Sequence, residues 1–520
     1  MAPPNEKLAT SLEELRRLQA DGARVFASGQ LDRTSRERLV KAGFLQEVMR
    51  GWLISASPTA RDGDTTPWFA SFWEFCRRYC EERFADAWHL SPEQSLLLHA
   101  ENTVIPKQVI LHSPAANNNR IDLPYGTSFF ALKQRDLPPA RDLELRHGLR
   151  VFRVEAALLR AAPGFFAQHP VEARVVLGGI RDPSELLSRL LEGGHAVIAG
   201  RLAGAFRHLG QGALADEIVA TMRAALFDVR ERDPFDADPD EGPAVRATSP
   251  IVARLQTLWA SSREAVLAEL PEARGLPRDR AAYLRSVDDV YKLDAYHSLS
   301  IEGYQVAPEL VQRVATGAWD PERQPSDRVS SSALAARGYW LAFQRVRETV
   351  GRILATGGDI TIVRSAHRDW YRALFSPQVA VGLLGASSLA GYRTQPVYLR
   401  GSRHVPPRAE ILRDAMPALF DLIEGEPAPA VRAVLGHWLF GYVHPFPDGN
   451  GRIARFLMNV LLAGGGYPWT VIRVEDRAAY LAALETASAE SNARPFARFV
   501  AKQMPKARPT RRRARQSRRS

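Results

Sequence analysis

The sequence predicts a multidomain chain. Its second half is a mainly α-helical bundle interrupted by one β-hairpin, and its first half joins a small helix–helix–hairpin unit to an α+β region. Three observations carry this. Beyond residue 250, successive segments repeat apolar residues at three- and four-residue spacing. Before it, such segments alternate with period-two runs. Between them lies RERDPFDADPDEGPAVRATSP, Arg230–Pro250, acidic, Pro-rich and without apolar periodicity, which reads as a linker. At 520 residues the chain has room for two or three domains.

Residues 1–60 come first. SLEELRRLQADG has helical apolar spacing. TSRERLVKAG opens on a Thr/Ser cap, sets Glu37 three residues after Thr34 and closes on Gly43. FLQEVMRGWLIS alternates about Arg50-Gly51 as a short hairpin does. This is the order of a winged-helix domain, in which a helix enters the major groove and the hairpin touches the backbone. Arg33, Arg36, Arg38, Lys41 and Arg50 are its candidate DNA contacts.

Residues 61–240 mix strands and helices. VIPKQVILHSP and RIDLPYGTSFFAL alternate like strands, and β-branched density recurs at Ala173–Leu177. DPSELLSRLLEGG, from an Asp-Pro cap to Gly-Gly, and GRLAGAFRHLGQGALADEIVATMRAAL read as amphipathic helices. No catalytic constellation is visible here. In element order and apolar strings, residues 1–240 resemble the winged-helix antitoxins of type IV toxin–antitoxin systems, which implies DNA as a partner.

Composition narrows the class. With 45% hydrophobic and 24% charged residues the chain is that of an ordinary soluble protein. No apolar run reaches the ~18 residues of a membrane span, and the N-terminus lacks a secretory h-region, so a cytoplasmic location without a membrane partner is expected. Cys76 and Cys80, the only cysteines, lie four apart on one helical face, as a metal half-site or redox pair would, or as two small buried apolar side chains. Of the net charge of +11, nine basic residues belong to Lys502–Ser520, which leaves +2 elsewhere. Residues 505–520 therefore read as a basic disordered tail, able to hold nucleic acid or an acidic partner through salt-sensitive contacts.

From 251 to 504 the chain is almost wholly helical, as in TIVRSAHRDWYRALF, PAVRAVLGHWLFGYV and GRIARFLMNVLLAGGG. The interruption is Leu389–Pro407, where Val397, Leu399 and Gly401 alternate with polar neighbours. The chemistry centres on HPFPDGNGRIAR, His444–Arg455, between two apolar helices. Gly449 and Gly451 let backbone approach an anion at a helix N-terminus. Arg452 and Arg455 share a face and suit a polyphosphate. Asp448 suits the magnesium that accompanies nucleotide phosphates, and His444 is suited to general-base work. His437, earlier in the same helix, reads as structural.

HPFPDGNGRIAR matches in full the signature HPFx[D/E]GNGRxxR of the Fic family, which the chain resembles over roughly residues 270–500. The resemblance implies a protein adenylyltransferase that uses ATP and Mg²⁺ to place AMP on a Ser, Thr or Tyr hydroxyl of a target protein. It implies that His444 is the base, Asp448 the metal ligand, and Asn450 with the backbone of Gly449 and Gly451 the anion hole. Arg452 and Arg455 take the β- and γ-phosphate contacts, and Phe446 is a core anchor. GYRTQPVYLRGS looks like the family's flap, a β-hairpin that captures target peptide through Val397, Tyr398 and Leu399. SLSIEG matches the inhibitory motif [S/T]xxxE[G/N] with Ser298, Glu302 and Gly303 in register, so that Glu302 would pair with Arg455 and inhibit the enzyme. Asn492 is a candidate for nucleotide choice, and some relatives regulate through dimers, which makes an oligomer compatible with the resemblance. Two alternatives stay open: removal of AMP by the same fold, with the glutamate positioning water, and a DNA-binding, autoregulated toxin–antitoxin-like protein. Kinase-like transfer is disfavoured because the GNGR core is intact.

Overall fold

The computed structural model describes residues 4–59, 63–235, 249–319 and 330–505. At the N-terminus, helix Pro4–Leu18, strand Val25–Ala27 and helix Arg33–Lys41 precede the hairpin Leu45–Met49/Trp52–Ser55. The first strand, absent from the sequence reading, pairs antiparallel with the last, Val25 opposite Ile54, to give a three-stranded sheet. Leu15, Phe26, Leu39, Leu45 and Leu53 close a small core of their own. The helix cap differs from the Thr34-based expectation. Asp32 is the N-cap, its carboxylate accepting from Thr34 N and Ser35 N, because a carboxylate two residues earlier satisfies the orphan donors of the first turn.

Helix Thr66–Phe84 then lays Trp68, Phe72 and Phe75 on a four-stranded sheet, the Phe75 and Phe129 rings stacking at 5.8 Å. Cys76 and Cys80 are buried in that packing, and burial pushes both thiols up. The sheet runs His89–Leu90, Gln108–Ser113, Ser128–Lys133, Asn119–Asp122, its central pair parallel. Ala173–Leu177, expected as strand, lies in helix Pro170–Gly179. The helix is buried on nearly every side, and an apolar run buried all round has no period by which to tell strand from helix. GRLAGAFRHLGQGALADEIVATMRAAL forms two helices, Ala196–His208 and Gly212–Ala224, broken at Gly210 with φ +70°. The start of the expected linker is packed rather than free: Phe235 is buried, and Arg232 N donates to Gly200 O at 3.1 Å. Residues 236–248 of that linker and 506–520 of the basic tail lie outside the described residues.

The second half is the expected bundle. Helices Pro429–Val443 and Asn450–Gly464 run through its centre with almost every side chain buried. Around them pack Pro250–Glu269, Arg280–Ile301, Ser331–Ala355, Val363–Ala380, Leu412–Gly425, Arg477–Glu490 and Arg494–Gln503. A buried ion pair joins the halves: Arg254 Nη1 meets Glu172 Oε1 at 2.7 Å with both side chains at most 5% exposed, and Arg254 Nε donates to Tyr442 Oη at 2.8 Å. Among the described residues no helix is long and apolar enough to cross a membrane.

Leu389–Pro407 departs from the expected hairpin. Within it no strand ladder forms among the described residues, the one bridge being Val104 to His404 in the first half. Pro396, Pro406 and Pro407 remove ladder donors, and the segment's polar groups bond outward instead.

Candidate active site

Helix Pro429–Val443 ends at His444, whose φ of +51° turns the chain out of the helix. The next helix starts after Gly449, at φ +77°. The loop between is tied down from inside. Phe446 is fully buried, its ring parallel to Tyr371 at 4.0 Å. Asn450 accepts from Phe446 N at 2.9 Å and donates to Phe446 O at 2.7 Å. With 1% exposure and both ends of its amide engaged, the Asn450 side chain braces the loop. The two glycines need their missing side chains. A Cβ on Gly449 would stand 2.7 Å from the Phe375 ring, and one on Gly451 would collide with Glu302 Oε1.

His444 Nδ1 lies 3.2 Å from Gly441 O, which fixes the proton on that nitrogen and leaves the Nε2 lone pair as an acceptor. Burial holds the imidazole's pKa down at about 4, against the opposing pull of that hydrogen bond. It is therefore neutral, the form that can accept a proton, across the physiological range.

Both arginines of the motif are buried cations. Arg455, 4% exposed, donates from Nε to Ser298 Oγ at 2.9 Å and from Nη2 to Ser298 O at 3.0 Å and Glu302 Oε1 at 2.7 Å. Burial favours the neutral form of each partner, but Arg455 and then Arg452 outweigh it on Glu302 and hold the carboxyl below its ordinary value. Glu302 in turn raises Arg455. Glu302 ends helix Arg280–Ile301, and Gly303 at φ +91° carries the chain away. About two turns back, Asp294 accepts from Tyr339 Oη at 2.6 Å in full burial. Arg452 is 1% exposed, yet its Nε and Nη1 have no hydrogen-bond partner among the described residues, and its one polar contact is Asp448 at 3.4 Å. An orphaned buried cation beside a helix N-terminus is a cradle for an anion.

Asp448 is 65% exposed at the mouth of this cradle. Among the described residues no cluster of three or more His, Cys, Asp or Glu could hold a metal unaided. One exposed carboxylate beside an anion site does fit magnesium, which is bound largely through water and substrate phosphates.

The Fic/DOC family matches residues 359–462, which include the whole of His444–Arg455. Residues 359–462 are a Fic domain. A protein adenylyltransferase Fic of Nematostella vectensis is 44% identical over 115 residues, 21% of this chain and 26% of that protein. Another of Drosophila melanogaster is 27% identical over 254 residues, 48% of this chain and 46% of that protein. The chain thus spans about a quarter to a half of the length of these curated relatives. Fic-1 (residues 134–508) of C. elegans is a structural neighbour with a TM-score of 0.35 and 19% identity, over 65% of this chain and 93% of that one.

The flap residues Val397, Tyr398 and Leu399 lie inside the Fic domain, whereas Ser298, Glu302 and Gly303 reach it from a preceding helix. The flap is pinned at both ends. At its root Arg393, 4% exposed, donates to the carbonyls of His444, Val443, Gln395 and Pro407. At its tip it meets the first half of the chain: Arg24 covers the Tyr398 ring at 5.3 Å, Gly401 N donates to Thr65 Oγ1 at 3.0 Å, and Arg400 faces Asp64 at 3.5 Å. Sequence reasoning missed Arg393, a lone arginine in a segment read for its apolar alternation, and Tyr304 and Phe375, whose rings flank Arg452. His437 is structural, Nε2 to Tyr480 Oη at 2.8 Å. Asn492 accepts from Arg494 N at the start of the last helix.

The candidate DNA contacts lie in the first 50 residues of the chain. Arg38 is bound to Ser11 Oγ and Lys7 O, Arg33 pairs with Glu37 on the surface, and Arg36 reaches Ser28 O at 3.4 Å. Lys41 and Arg50 are exposed around the hairpin.

Proposed function

We propose that this chain is a protein adenylyltransferase held in an inhibited state by Glu302. The observation that carries the reading is Arg452, a buried guanidinium with two unpartnered N–H groups in the first turn of a glycine-led helix, eight residues after a neutral His444. In the proposed reaction the target hydroxyl gives its proton to His444 Nε2 as its oxygen bonds the α-phosphorus of ATP. The bond from that phosphorus to the bridging oxygen breaks, and pyrophosphate leaves. Arg452 and the amides of Gly451 and its neighbours take up charge on the phosphates, so catalysis is mostly positioning and charge stabilisation. Asp448 would hold Mg²⁺, which neutralises phosphate charge when bound.

Inhibition follows from Arg455. Its donors are engaged by Ser298 and Glu302, so the γ-phosphate contact is blocked while that ion pair stands. The ionised Glu302 also supports a second reading, AMP removal, in which it would orient a water molecule.

Label transfer from α-³²P-ATP to a protein acceptor tests this, comparing the parent, Glu302→Gly and Glu302→Gly/His444→Ala. Labelling that rises in the first variant and vanishes in the double variant is the expected result. No label from Glu302→Gly, with folded protein binding ATP, would overturn the transfer reading and favour AMP removal.

A further inference from the structure

Two rings stand against the Arg452 guanidinium. Its guanidinium carbon is 5.3 Å from the Tyr304 centroid and 5.2 Å from that of Phe375. A cation held on two aromatic faces gains from both quadrupoles, the more so when desolvated. With aromatic rings against the guanidinium, a ligand meets it through its in-plane N–H groups, and Nε and Nη1 are the ones without a partner among the described residues.

The two rings have different origins. Phe375 belongs to helix Val363–Ala380 and is fixed by Tyr371, 5.0 Å away, and by the close approach of Gly449. Tyr304 lies outside the matched Fic domain, two residues after Glu302. Gly303 N donates to Ser300 O at 3.0 Å and Tyr304 N to Leu299 O at 3.1 Å, so the turn carrying the ring is closed onto the end of helix Arg280–Ile301. The ring therefore moves with the helix end that also presents Glu302.

We propose that Tyr304 is a positioning residue for the diphosphate of the nucleotide. It clamps Arg452 against Phe375 with its N–H edge toward the β-phosphate. The segment that opposes the γ-phosphate through Glu302 thus also assembles the β-phosphate site. This rests on reading Arg452 as a phosphate ligand. Removing the Glu302 carboxylate alone leaves the clamp in place, whereas displacing the whole helix end opens it.

The test is calorimetric binding of ADP and of AMP to the full chain and its variants, with ADP chosen because it carries a β-phosphate and nothing for Glu302 to oppose. Tyr304→Leu should weaken ADP on the order of tenfold and leave AMP unchanged. Tyr304→Phe, which keeps the ring, should bind both as the parent does, and Phe375→Leu should repeat the Tyr304→Leu pattern if that variant misfolds. Unchanged ADP binding in Tyr304→Leu, equal weakening of ADP and AMP, or a Tyr304→Phe variant as poor as Tyr304→Leu would each overturn the proposal. A parent chain that binds neither nucleotide would instead sink the adenylyltransferase reading on which it stands.

Discussion

Arg393 Nε donates to the carbonyl oxygen of His444 at 2.8 Å, while Arg393 N donates to Pro445 O at the same distance. One buried side chain thereby caps the helix that carries the candidate base and fastens the root of the flap beside it. Arg393→Ala should destabilise the fold by about 3 kcal/mol, since several buried carbonyls lose a charged donor. Transfer by Glu302→Gly should also fall on the order of a hundredfold when His444 is no longer held in place. Denaturant midpoints and initial rates check the two effects separately.

The pH dependence of transfer should be unusual for a histidine base. His444 is active when neutral, and burial holds its pKa at about 4. Rates of Glu302→Gly should stay flat from pH 8 to about 5 and decline only as pH nears 4, because loss of the Glu302 charge lowers the imidazole further. A decline centred near 6.5, the value of a free imidazole, would contradict the buried geometry.

Acid should destabilise the fold at milder pH than carboxylate titration would. His367, His404 and His437 are at most 1% exposed, and burial lowers them to about 4, 3 and 3. Between those values and ~6.5 the unfolded chain binds protons that the folded chain refuses, so stability falls as pH falls through this window. Each group contributes about 1.4 kcal/mol per pH unit there. Thermal midpoints should be constant from pH 8 to 7 and drop clearly from 6.5 to 5; a flat profile down to pH 5 would refute this.

Breaking the Glu172–Arg254 pair should be worse than removing it. Glu172→Gln leaves a buried guanidinium without its counter-charge and should cost about 3–5 kcal/mol, whereas Glu172→Met combined with Arg254→Met should cost less than either single change. A double-mutant cycle by urea denaturation measures the difference.

What could be foreseen follows from how local each signal is. The loop His444–Arg455 was legible because its chemistry sits in twelve consecutive residues, and the helices around it because their apolar faces repeat. The contact of Glu302 with Arg455 came from a resemblance, since no local signal joins residues 153 apart. The bracing of the loop by Asn450 was invisible in the sequence because it depends on a backbone turn that folds both ends of its amide onto Phe446. Ala173–Leu177 and the flap failed for a related reason. Burial on all sides erased the period of the first, and partners from the other half of the chain replaced the ladder of the second.

The attachment of Tyr398, Arg400 and Gly401 to Arg24, Asp64 and Thr65 has a consequence for how such a chain could change over time. The segment that the flap reading makes the acceptor's entrance is thus held by residues more than 300 positions away, outside the Fic domain. On that reading, substitutions in the earlier stretch would change how this segment is held without touching His444–Arg455, so acceptor choice would drift independently of the loop proposed to perform the transfer.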